Sequence, residues 1–97
     1  MKKFIKGCYE LDKNIDDLVT YEEPKKKQLL MFVNWCYENG VFVKAGLTEE
    51  NEYVCNFKII ANSKAMCNAL KQEFKEQLLE IFPYVKTIWE ASGDQLF

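Results

Sequence analysis

The sequence predicts an α+β fold in which a four-stranded antiparallel sheet carries two main helices on one face. Three observations predict it. Four short runs alternate apolar and polar residues, the period of a half-buried strand, and two longer runs place apolar residues at helical spacing. The six runs follow one another as strand, helix, strand, strand, helix, strand, so two crossovers flank a central hairpin.

The first strand is expected over residues 4–11, with Ile5, Gly7, Tyr9 and Leu11 on one side and Phe4, Lys6, Cys8 and Glu10 on the other. Residues 12–21 are acidic and space Ile15, Leu18 and Val19 helically, which predicts an extra short helix after the first strand. Glu22, Glu23 and Pro24 then open the first main helix, because proline suits the first helical position and carboxylates suit the positive helix end. Asn39-Gly40 stops it. Its core stripe is Leu29, Phe32, Val33 and Cys36, flanked by Leu30 and Tyr37, while Met31 and Trp35 project from the opposite side.

Residues 41–47 and 52–61 read as a hairpin around the polar loop 48–51. Odd positions face inward (Val41, Val43, Ala45, Leu47; Tyr53, Cys55, Phe57, Ile59), leaving Phe42, Lys44, Val54, Asn56, Lys58 and Ile60 outward. Asn62 or Ser63 caps a helix that runs to about residue 82, where Pro83 closes it. Cys67, Leu70, Phe74, Leu78 and Ile81 form its inner stripe. Residues 84–91 make the last strand, with Lys86 and Ile88 outward.

This order resembles the ferredoxin-like βαββαβ sandwich, in which right-handed crossovers place both helices on one face. The resemblance is to a fold, and folds so widely used host unrelated functions. A chain of 97 residues is expected to form one domain, over residues 1–91, with residues 92–97 as a C-terminal tail.

Composition narrows the chemistry. The chain has no histidine, and all thirteen of its cationic side chains are lysine. Ser-His and Cys-His nucleophile pairs, histidine-containing metal sites and arginine-finger chemistry are therefore absent. No P-loop, G-x-S-x-G, H-E-x-x-H or dinucleotide-binding glycine pattern occurs. Cys8, Cys36, Cys55 and Cys67 include no C-x-x-C pair, so they read as small buried hydrophobes with reduced thiols in a cytoplasmic protein. No catalytic residue, metal or cofactor is expected. A net charge of −2 gives little field for drawing in nucleic acid, and no apolar run approaches a membrane span.

The expected function is a small non-catalytic protein-binding module. Met31 and Trp35 serve as apolar anchors, since Trp and Met are enriched at interfaces. Glu49, Glu50 and Glu52 at the hairpin tip supply charge complementary to a basic, nucleic-acid-binding partner. In class, though in no shared motif, the chain resembles small phage-encoded inhibitors of host machinery, anti-CRISPR proteins among them. Two other readings stay open. Phe42, Lys44 and Lys58 on an open sheet face are the residue types that single-stranded RNA binders use, by stacking and phosphate attraction, although the third strand lacks the glycine and aromatic order of the RNP1 motif. The same exposed surfaces would also serve a homodimeric structural or sensing subunit.

Overall fold

The computed structural model describes residues 1–11, 23–47, 53–82 and 84–96. Six elements follow in order: β1 (Lys2–Leu11), α1 (Glu23–Glu38), β2 (Val41–Leu47), β3 (Tyr53–Ala61), α2 (Lys64–Ile81) and β4 (Val85–Gln95). The fold is therefore α+β, with a four-stranded sheet ordered β2-β3-β1-β4 and every neighbouring pair antiparallel. The extra short helix expected after the first strand, the loop 48–51 and Pro83 lie outside the described residues.

Alternation in the two central strands decides which face is covered. Ile5, Tyr9 and Leu11 of β1 and Cys55, Phe57, Ile59 and Ala61 of β3 are buried, and they share one cluster with Phe32 and Cys36 of α1 and Cys67, Phe74, Leu78 and Ile81 of α2. Rings link the layers. Phe57 on the sheet lies 5.1 Å from Phe74 on α2, which lies 5.4 Å from Phe32 on α1, and each such pair adds about 0.5–1.5 kcal/mol beyond area burial.

Local signals set the element ends. The Ser63 hydroxyl accepts a hydrogen bond from the Met66 backbone N–H at 3.1 Å, capping α2. At the end of α1 the Asn39 amide nitrogen and backbone N–H both donate to the Trp35 carbonyl, and Gly40 takes the left-handed conformation at φ 68°. The chain thus turns into β2 within two residues.

Three expectations are corrected. Val33, expected in the core stripe of α1, is 52% exposed, because the buried arc of that helix spans Phe32 and Cys36 with Leu29 and Trp35 at its margins. Residues 92–95, read as the start of a tail, continue β4 and pair with Lys2 to Ile5. The third correction concerns parity in β4. Cys8 stands opposite Trp89 but Tyr9 stands opposite Thr87, so Ile88 is an extra, unpaired residue. This β-bulge reverses the side of the sheet to which each residue beyond it points.

Candidate functional site

The sheet face away from the helices carries two adjacent cross-strand rows. One runs Phe42, Lys58, Lys6, Ala91 across β2, β3, β1 and β4; the next runs Lys44, Asn56, Cys8, Trp89. Phe42 and Trp89 therefore occupy diagonal corners, with Lys44, Lys58 and Lys6 between them. Phe42 is 62% exposed and Trp89 44%. A shallow depression of about 300 Å³ is lined by these side chains, with Asn56 and the backbone around Gly7 and Phe57 as its floor. Strands sit about 4.8 Å apart and residues rise about 3.4 Å, so three strand gaps and two residues set the backbone positions of Phe42 and Trp89 about 16 Å apart on an ideal sheet.

Each part has a local cause. The turn at Gly40 starts β2 so that Phe42 and Lys44 alternate onto the open face. The bulge at Ile88 brings Trp89 to the same face. Gly7 makes room for that bulge: a Cβ there would lie 2.7 Å from the Trp89 carbonyl oxygen and 3.0 Å from the Phe57 ring. In the next row out, the half-buried Phe4 ring lies over Gly93, where a Cβ would meet it at 3.2 Å. Lys58 and Lys6 hold their ammonium groups 5.3 and 5.8 Å from the Phe4 ring centre, within cation–π range.

Lysines outnumber acids on the open face of the sheet. Lys6, Lys44, Lys58 and Lys86 stand on the open face, where Glu10 faces Lys86 across β1 and β4. The helices carry both signs, Glu38, Glu73, Glu76 and Glu80 beside Lys27, Lys64, Lys71 and Lys75, and so have no comparable excess. Glu90, beyond the bulge, points to the helix side and is bridged by Lys71 of α2 at 2.6 Å. The face is locally cationic although the whole chain is not.

Cys8 is buried in the centre of the second row, and burial raises its thiol pKa. All four cysteines are buried and unpaired. Among the described residues no three histidine, cysteine or acidic side chains converge as a metal site would require. No helix among them is long and apolar enough to cross a membrane.

The residues expected to bind a protein are less concentrated. Met31 is 66% exposed. Trp35 packs partly against the core, so it does not project from the opposite side of α1 as the wheel suggested. Both line a groove of about 310 Å³ between the helices, with Gln28, Gln77, Glu80 and Ile81. Glu49, Glu50 and Glu52 lie outside the described residues.

Phe42, Lys44 and Lys58 come together, and Trp89 joins them unforeseen. Its signal in the sequence is the adjacent pair Ile88-Trp89, two large apolar residues that strict alternation would send to opposite faces. No family model, curated protein or solved structure matches the chain.

Proposed function

We propose that this chain is a non-catalytic binding module that lays single-stranded nucleic acid, RNA in the first instance, across the open face of its sheet. The observation that carries the reading is the pair of exposed rings, Phe42 and Trp89, set at diagonal corners with Lys6, Lys44 and Lys58 between them. Rings offer stacking surface to any base, and the lysines meet the phosphates that join stacked bases. A backbone spacing of about 16 Å suits bases a few nucleotides apart on an extended strand. The net charge of −2 leaves attraction to the local lysines, so binding is expected to be modest and salt-sensitive.

The ferredoxin-like sandwich belongs to this reading, supported by the element order and by the central placement of β1 and β3. A cytoplasmic location goes with it, supported by four unpaired buried thiols.

The test is fluorescence anisotropy with short labelled RNA and DNA homo-oligomers at low salt. Binding should weaken steadily as salt rises. Trp89→Ala or Phe42→Ala should weaken it roughly 5- to 150-fold, the range for loss of one stacked base, and Lys44→Glu should flatten the salt dependence. RNA binding above DNA would point to recognition of the 2′-hydroxyl. Failure to bind either strand at low salt would overturn the proposal.

A second reading keeps the protein-binding expectation, including an inhibitory role toward a basic partner, and is favoured by one observation. Met31 stands exposed beside Trp35 in the groove between the helices. On that reading Met31→Ala abolishes pull-down of a partner protein and leaves oligonucleotide affinity unchanged.

A further inference from the structure

Among the described residues the two edge strands of the sheet are built differently. β4 carries the bulge at Ile88 and the charges Lys86, Glu90 and Asp94, the features by which natural sheets discourage pairing at an edge. β2 has neither proline nor bulge; its register against β3 is unbroken from Val41 to Leu47, and Lys44 is its one charge. Among the described residues nothing covers the outer flank of the helix above this edge. The buried arc of α1 faces the sheet, and its Met31–Trp35 flank faces α2. Its other flank, turned away from α2 and over the β2 edge, presents Leu30, Val33 and Tyr37 at spacings of three and four residues. Tyr37 is 88% exposed, and Val43, on the helix side of β2, is exposed as well. Among the described residues, a strand edge without protective features and an apolar helix stripe thus lie on one side of the molecule.

We infer that this side joins a second copy of the chain: the two β2 edges pair antiparallel into one eight-stranded sheet, and the two α1 stripes pack above them. Self-complementarity selects a second copy over another partner. A two-fold axis at Val43 sets Val43 against Val43 and Val41 against Ala45 on the helix side. On the open side it sets Phe42 of each copy against Lys44 of the other, a cross-strand cation–π pair that relieves the solitary charge of β2. The helices agree with this axis. Val33 lies about 7 Å back along α1 from its end, and Val43 lies about 7 Å along β2 from its start. The axis through Val43 therefore passes beside Val33 and brings Leu30 of one copy against Tyr37 of the other. The assembly would also bring the Phe42 and Lys44 corners of two open faces together at its centre, although the inference does not depend on any nucleic acid.

Light scattering and sedimentation equilibrium of the full chain without nucleic acid test it. The expected mass is twice the protomer's 11.4 kDa. Val33→Lys with Tyr37→Lys, both at exposed positions, should raise the dimer dissociation constant by about tenfold or more, with an unchanged circular dichroism spectrum. Amide hydrogen exchange should show protection that rises with concentration in β2 and not in β4. A monomer at the highest soluble concentration overturns the inference whatever the variants do. So does a dimer that the double variant leaves intact, or one whose protection falls on β4.

Discussion

Gly7 shows how much can rest on the absence of a side chain. It pairs with Phe57 on one side and Glu90 on the other, and a Cβ added to it would lie 2.7 Å from the Trp89 carbonyl, inside any tolerable contact. The neighbour that must yield is backbone, and it belongs to the bulge that turns Trp89 to the open face. Gly46 is a fair comparison, since it also lies within a strand, yet its Cβ would meet nothing nearer than Val54 at 3.8 Å. Gly7→Ala is therefore expected to destabilise by about 1–3 kcal/mol, the usual cost of overpacking. Gly46→Ala should stay within about 0.5 kcal/mol of the parent. Urea denaturation of both variants checks this, and equal midpoints would show that the bulge does not depend on the missing side chain.

Among the elements, α2 joins sequence to structure most directly. Its inner stripe was readable because Cys67, Phe74, Leu78 and Ile81 recur at helical spacing, and its start because Ser63 is a residue type that accepts a hydrogen bond from the first turn. Ser63→Ala should cost about 1 kcal/mol and Ser63→Gly only a few tenths, measured by thermal denaturation. Equal loss in the two variants would assign the effect to something other than the cap. The hairpin strands were readable for the same reason as α2, since Cys55, Phe57, Ile59 and Ala61 recur at every second position on the buried face, although Val54 on the open face is buried as well. What escaped the sequence are the places where periodicity stops being local. Ile88 adds one residue to β4, so counting parity from Lys86 puts Trp89 on the wrong face. Val33 fits a helical stripe, but how wide an arc α1 buries depends on where the sheet ends beneath it, and β2 is the edge strand. Half of the candidate surface was therefore visible in Phe42, Lys44 and Lys58. The other half, Trp89, needed the register.

At the scale of the whole molecule, the core is unusual in the acids it holds. Burial pushes the Cys55 thiol from 9.0 up to about 12 and the Cys36 thiol up to about 11; it also pushes Tyr9 from 10.0 to about 12, with the nearby Glu90 charge adding to it. All three are neutral in the folded core, and with no histidine the chain has no side chain whose ordinary pKa lies between those of the carboxylates and the thiols. The sign of the linkage follows. These groups hold their protons more tightly in the folded state than in the unfolded chain, so their contribution is complete below the unfolded pKa. It is lost as pH rises toward the folded value. Stability should accordingly be level up to about pH 9 and then fall, each thiol adding about 1.4 kcal/mol per pH unit to the slope. Melting temperature measured against pH under reducing conditions gives that slope. Cys55→Ala lowers stability at every pH through the cavity it leaves, so its level is uninformative, but its decline between pH 9 and about 11 should be shallower by one group's worth. An unchanged decline would mean that Cys55 does not titrate differently in the two states. The core would then owe its alkaline sensitivity to Tyr9, Cys36 and Cys8, whose thiol pKa burial also raises.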